Sequence, residues 1–239
     1  MIKTIINEEN IDNADVVLVS APYEKTASSH KGTINGPKKV IECLDTQIEF
    51  FDRKFKVEVI DFVKTAHINL SNLKKLSPPN AYKTIKKNCN ELMQKNKFVV
   101  LLGGEHSVSY GLLEALSKKY KTKDVTILQI DAHCDLRDDD SDYSKHPSPF
   151  AHSTVMRRAS ELGYSIAQVG IRSYCKEEYE YFSNPKNKIK TWQWDFGDKP
   201  KVEEILKSIK TKNVYLSIDV DGFDPAYMPG TGTPVQGGL

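Results

Sequence analysis

The stretch Val125-Thr126-Ile127-Leu128-Gln129-Ile130 runs without a break into Asp131-Ala132-His133-Cys134-Asp135. A nearly continuous run of β-branched and apolar residues reads as a strand buried on both faces, as in a parallel sheet covered by helices. Ionisable residues follow at once, at the place where open α/β sheets collect their functional groups, beyond the carboxyl ends of the strands. The pattern recurs twice. Phe98-Val99-Val100-Leu101-Leu102 leads into Gly103-Gly104-Glu105-His106-Ser107, and Val214-Tyr215-Leu216-Ser217-Ile218 leads into Asp219-Val220-Asp221-Gly222-Phe223-Asp224-Pro225.

Outward from these three stretches, β-branched runs predict strands over Asp15–Ser20, Lys56–Ile60, Phe98–Leu102, Val125–Asp131, Ile166–Ile171, Lys188–Trp192 and Val214–Asp219. Amphipathic spacing predicts helices between them: Gly36–Leu44 with Pro37 near its start, Ala81–Gln94, Ser109–Lys119, Phe150–Leu162 and Val202–Ile209. Strand and helix in alternation give an α/β fold with helices on both faces of a parallel sheet. No repeat or low-complexity linker divides the 239 residues, so a single domain over 1–239 is expected.

Composition sets the outer bounds. Hydrophobic residues at 39% can build a core, and charged residues at 28% keep it soluble. Lys and Arg number 34 against 32 Asp and Glu, a near-balance that provides no net field for nucleic acid or an anionic membrane. The mean hydropathy of -0.49 argues against a transmembrane helix. The first residues, MIKTIINEENIDNADVV, show no secretory pattern. Cys43, Cys89, Cys134 and Cys175 form no CxxC pair, so a reducing cytoplasm is the expected compartment.

The acids and histidines at the strand ends carry the chemistry. Residues at i, i+2 and i+4 of an extended segment share a face, so Asp131, His133 and Asp135 converge if strand geometry persists, as do Asp219 and Asp221. Carboxylates buried there cost several kcal/mol each unless they are paired or hold a metal, and only Arg137 is near in sequence. Four Asp and two His exceed one zinc site, whereas carboxylate bridges suit two divalent ions about 3.5–4 Å apart. The oxygen-rich set favours manganese over softer metals. The competing reading, three unrelated capped strand ends, requires the same pattern to arise three times by chance.

The segments GGEHS, DAHCD and SIDVDGFDP resemble the signature motifs of the ureohydrolases: arginase, agmatinase, guanidinobutyrase and formimidoylglutamase. AHSTVMRR, PGTGTPVQGGL and GTINGPKKVIE are similar to agmatinase segments, so the resemblance covers essentially the whole chain. It implies an arginase-like three-layer α/β/α sandwich around a parallel sheet of eight strands. It also implies two Mn(2+) ions: His106, Asp131, Asp135 and Asp219 on one, and His133, Asp131, Asp219 and Asp221 on the other, with Asp131 and Asp219 bridging. Asp135 would further aim the attacking hydroxide, and His152 would match the family's acid/base histidine. Assembly as a trimer or hexamer is implied as well. The reaction expected is hydrolysis of a guanidino group to urea and an amine.

Other residues receive plainer readings. His146 is expected in a solvent-exposed loop, His30 and His67 on the surface, Cys134 packed away from the metal face, and Asp224 in a turn before Pro225. The loop LRDDDSDYSKHPSPFAH lacks the Asn/Ser arrangement of arginases; its acids Asp138, Asp139, Asp140 and Asp142 would favour a cationic amine tail, or simply be solvated. The resemblance implies agmatine as the substrate, ahead of arginine and guanidinobutyrate, and the loop charge adds little to it. Relatives continue beyond the position of Leu239 through a further strand bearing a guanidinium-clamping glutamate, so the sequence reads as C-terminally incomplete, lacking its last strand. An inactive ureohydrolase-like binding subunit is the alternative of a different class. A dimetal phosphoesterase would fit the metals but not GGEHS and AHSTVMRR.

Overall fold

The computed structural model describes residues 4–194 and 199–239. They fall into two compact units, Met1–Lys25 with Gly32–Ala115, and Thr26–Lys31 with Leu116–Leu239.

In the first unit, β1 (Val16–Ala21) is the central strand of a three-stranded parallel sheet. Helix α1 (Gly36–Thr46) opens with Pro37 in its first turn, where the missing N–H costs nothing. The segment expected as the strand Lys56–Ile60 is instead half of a two-stranded antiparallel hairpin, β2 (Phe51–Asp52) and β3 (Val57–Glu58), followed by a single 3-10 turn at Val59–Asp61. The cause is local: Asp52 Oδ1 accepts the N–H groups of Lys54 and Phe55 at 2.8 Å each, and Lys56 takes a left-handed φ of 58°.

The strand that pairs with β1 is β4 (Thr65–Asn69), a segment whose single large apolar residue, Ile68, gives little signal. On it His67 is half-buried, 2.8 Å from Ser20 Oγ, and burial lowers its pKa; it is not the surface histidine expected. Helix α2 (Pro78–Gln94) begins one turn earlier than expected because Pro78 and Pro79 suit a helix start, and buries Ala81, Ile85, Cys89 and Leu92 along one stripe. Leu92 joins Ala14, Val17, Val19 and Ala66 in the core of this unit. The third strand, β5 (Phe98–Gly103), pairs with β1 and leads into α3 (Val108–Lys119).

The second unit holds a four-stranded parallel sheet. Its strands are β6 (Val125–Ile130), β7 (Ser165–Ile171), β8 (Ile189–Gln193) and β9 (Asn213–Ile218), in the spatial order β8-β7-β6-β9. The helix expected over Phe150–Leu162 is shorter: a 3-10 turn at His152–Thr154 precedes α4 (Val155–Glu161). Thr154 Oγ1 accepts the Ala151 N–H at 3.0 Å and donates to the Pro149 carbonyl at 2.8 Å, which holds the preceding backbone out of the helix. Helix α5 (Lys176–Ser183) was not foreseen, since its one buried residue is the acid Glu178; α6 (Val202–Ser208) was. Among the described residues no helix is long and apolar enough to cross a membrane.

Candidate metal centre

In the second unit β6 stops at Ile130, and the backbone beyond it is held by its neighbours: Asp131 N–H donates to the Val169 carbonyl at 3.0 Å and Asp219 N–H to the Ile130 carbonyl at 2.9 Å. The residues after these ends leave strand geometry, contrary to the simple alternation expected. Asp135 sits at a left-handed φ of 53°, and Val220–Gly222 form a 3-10 turn capped by Asp219, whose carboxylate accepts the Asp221 N–H. A non-glycine residue in the left-handed region is uncommon and stores strain where function requires it. The Asp135 carbonyl accepts the N–H groups of Met156 and Arg157, so this conformation also caps the first turn of α4.

The turn brings acids together. Donor atoms of Asp131, His133 and Asp221 lie within 4.8 Å of one another, and a carboxylate oxygen of Asp135 lies within the same distance of one on Asp131. His133 Nδ1 is 3.1 Å from Asp221 Oδ2 and 3.7 Å from Asp131 Oδ1. Backbone N–H groups add to the cradle: His133 N–H donates to Asp131 Oδ1 at 2.7 Å and Ala132 N–H to Asp221 Oδ1 at 3.1 Å. Gly170, at a φ of 95°, allows the close approach of β7, since a Cβ there would lie 2.8 Å from the Asp131 carbonyl oxygen.

Two buried carboxylates beside one imidazole, with the buried Asp135 carboxylate close to that of Asp131, need positive charge. Burial alone would lower the His133 pKa, but hydrogen bonds to Asp131 and Asp221, with their charges, push it up to about 11. A protonated imidazole supplies one charge there, and a divalent cation would supply two while needing the imidazole neutral. The donor set therefore fits a metal ion, with Asp131 in reach of both Asp135 and the His133–Asp221 pair. Asp219 is placed beside them through its bond to Asp221 N–H at 3.2 Å but is not part of the three-residue group.

His106 belongs to the first unit, buried in the turn after β5. Its loop is pressed onto the chain that follows β1: Glu105 N–H donates to the Tyr23 carbonyl at 2.9 Å, and a Cβ on Gly104 would meet the same oxygen at 2.1 Å. Only glycine fits at that position.

His152 is held from two sides within the second unit. Its Nδ1 lies 2.7 Å from the Thr26 carbonyl oxygen and its Nε2 3.3 Å from Ser28 Oγ, with Tyr143 tilted against the ring at 5.5 Å. His146 and His30 are exposed, as expected. Cys134 is fully buried, and burial first, then neighbouring acids, push its thiol pKa up, which suits an inert packed side chain. Asp224 organises a turn: its carboxylate accepts the N–H groups of Ala226, Gly237 and Gly238, and these bonds lower its pKa.

Sequence reading missed Arg172. Its guanidinium donates to the carbonyl oxygens of Asp221 and Val235 at 2.6 Å each, of Gly170 at 2.9 Å and of Gly222 at 3.2 Å, so it ties the third motif to the end of β7. The signal was an arginine directly after an apolar strand. Of the two readings of the acidic loop, the plainer one fits: the exposed Asp138 pairs with Arg158 at 2.7 Å, the exposed Asp142 with Arg137, and the buried Asp140 accepts the Ser148 N–H. Little of its charge is left to attract a cationic tail.

Comparison with known proteins places these features. Residues 14–239 match the Arginase family. The chain is 36% identical over 232 residues to an N(1)-aminopropylagmatine ureohydrolase of Synechocystis, covering 95% of this chain and 73% of that protein. It is 33% identical to an agmatinase of Bacillus subtilis, covering 95% and 75%. The crystal structure of an agmatine ureohydrolase of Thermoplasma volcanium superposes with a TM-score of 0.84 at 26% identity, covering all of this chain and 78% of that one. The parallel sheets and flanking helices are thus those of the three-layer α/β/α arginase fold, and the chain is a ureohydrolase of the arginase family, a hydrolase of C–N bonds in linear amidines.

Proposed function

We propose that the protein is a dimanganese hydrolase that cleaves the guanidino group of agmatine to urea and putrescine. The observation that carries this reading is Asp131, whose carboxylate lies within 4.8 Å of donor atoms on Asp135, His133 and Asp221 and can therefore serve two ions. The residues that would hold the ions are His106, Asp131, His133, Asp135, Asp219 and Asp221; by the resemblance Asp131 and Asp219 would be shared between the two, and His106 enters the set by the resemblance alone. Manganese is favoured by the preponderance of carboxylate oxygen. When bound, two such ions supply Lewis acidity and a water that ionises near neutral pH.

The protein's own groups do the rest. Asp135 accepts a hydrogen bond from the attacking water and aims it at the guanidinium carbon. The leaving amine needs a proton, which His152 delivers. Its Nδ1 must carry hydrogen to bond a carbonyl oxygen, so Nε2 is the nitrogen that gains and loses the catalytic proton.

Agmatine is supported by the similarity to agmatinases, not by the acidic loop. A second reading, N(1)-aminopropylagmatine, is favoured by the Synechocystis relative at 36% identity. Both carry the same guanidinobutyl group. Urea release by the manganese-loaded protein from these two, arginine and guanidinobutyrate, with formamide release from formiminoglutamate, chooses among them. Turnover of none would favour an inactive binding subunit. Assembly as a homo-oligomer, trimer or hexamer, is proposed on the resemblance and is checked by light scattering. A cytoplasmic location is supported by four free cysteines.

A further inference from the structure

An uncharged polar rung crosses three strands of the sheet of the second unit. Gln129 on β6, Gln168 on β7 and Thr191 on β8 are in register across three adjacent parallel strands. Both glutamines are completely buried, where an unsatisfied amide would cost several kcal/mol. Their bonds form one chain. Thr191 Oγ1 donates to Gln168 Oε1 at 2.8 Å, and Gln168 Nε2 donates to Gln129 Oε1 at 2.6 Å and to the Cys134 carbonyl at 2.7 Å. Gln129 Nε2 donates to Asp131 Oδ2 at 2.7 Å and to the His133 carbonyl at 3.2 Å.

The direction of this chain is fixed by chemistry. The carbonyls of Cys134 and His133 can only accept, so each must face an amide NH2 group. That sets the orientation of Gln168 and Gln129, leaves both Oε1 atoms as acceptors, and compels the Thr191 hydroxyl to donate. The three side-chain bonds, from Thr191 to Gln168, Gln168 to Gln129 and Gln129 to Asp131, therefore all donate toward Asp131, and each polarises the next. Of the two Asp131 oxygens, Oδ1 takes the His133 N–H and Oδ2 takes the Gln129 amide, so the plane of the carboxylate is set from within the sheet.

We infer that Gln129, Gln168 and Thr191 are positioning residues, a relay that holds the Asp131 carboxylate in the orientation metal binding needs; this rests on the metal reading of the site. Groups behind metal ligands commonly act this way, and their loss typically costs 10–100-fold in affinity. The relay acts through Asp131 and touches no substrate.

The test is a titration of metal-free protein with Mn2+, following the signal of the free ion, together with the melting temperature of each metal-free variant. Gln129→Met should raise the dissociation constant roughly 10–100-fold. Gln168→Met should raise it less, and the double variant should match Gln129→Met alone, because the relay is already cut at its last bond. A merely structural rung would instead lower melting temperatures additively and leave Mn2+ affinity within about twofold of wild type, which would overturn the inference. Where a glutamine variant fails to fold, Thr191 decides: Thr191→Val should weaken Mn2+ binding by about two- to fivefold and Thr191→Ser restore it, whereas equal affinities would overturn the relay. A wild-type protein that binds no Mn2+ refutes the metal reading itself, and the relay falls with it.

Discussion

His152 is held by main chain: its Nδ1 lies 2.7 Å from the carbonyl oxygen of Thr26, a group that can only accept. The hydrogen on Nδ1 is thereby fixed, and Nε2 is left to exchange the catalytic proton, with Ser28 Oγ 3.3 Å away. His152→Ala should lower kcat for the preferred substrate by about 10²–10⁴-fold, the ordinary value of a general acid, while KM changes little. Manganese content measured alongside should be unchanged, since His152 is not a ligand. Full turnover in this variant would remove the assignment.

The His133 imidazole gives the metal-free protein a defined pH dependence. Its folded pKa of about 11 stands above the ordinary value of 6.5, so its contribution to stability is complete below about pH 6.5 and is lost as pH rises toward 11. The melting temperature of EDTA-treated wild type, relative to His133→Asn, should therefore decline between those limits. Manganese binding needs the neutral imidazole, so affinity should rise with pH over the same range. A wild-type difference that is flat from pH 6.5 to 10 would contradict this.

Arg172 ties the third motif to β7 through carbonyl oxygens. Burial lowers its pKa, yet it remains a cation surrounded by acceptors. Arg172→Met should cost about 3 kcal/mol in urea denaturation, because several carbonyls lose a charged donor together. Amide exchange should quicken chiefly around residues 221–223 and 235–236, the segments it holds.

The acids of the 138–142 loop are occupied with arginines and backbone. Asp139→Asn and Asp142→Asn should accordingly leave KM for agmatine within about twofold of wild type, as expected for solvated surface charges. A rise in KM specific to cationic substrates, absent with guanidinobutyrate, would restore a recognition role for this loop.

The sequence made the site legible where a strand was apolar throughout and its end abruptly ionisable, as at Ile130–Asp131 and Ile218–Asp219. It failed where burial is slight or polar. Strand β4 carries one large apolar side chain and Glu178 is the buried residue of α5, so neither produces a hydrophobic period. Gln129 gives little signal because five apolar or β-branched neighbours hide one amide, although a glutamine inside a doubly buried strand is itself a sign of a satisfied network. The hairpin at residues 51–58 misled because Val57 and Val59 alternate like a strand, while Asp52 closes a tight turn instead. Asp131 does lie close to His133 and to Asp135, but Asp135 takes a left-handed φ and strand alternation does not continue through it.

On the proposed reading, the carboxylate of Asp131 is shared by two metal ions. Electron paramagnetic resonance of the protein loaded with Mn2+ tests it most directly. Shared ligation by Asp131 predicts the many-line signal of two exchange-coupled ions, replaced in Asp131→Asn by the signal of isolated ions or by none bound. A wild-type spectrum showing only the six lines of a single uncoupled ion would contradict it.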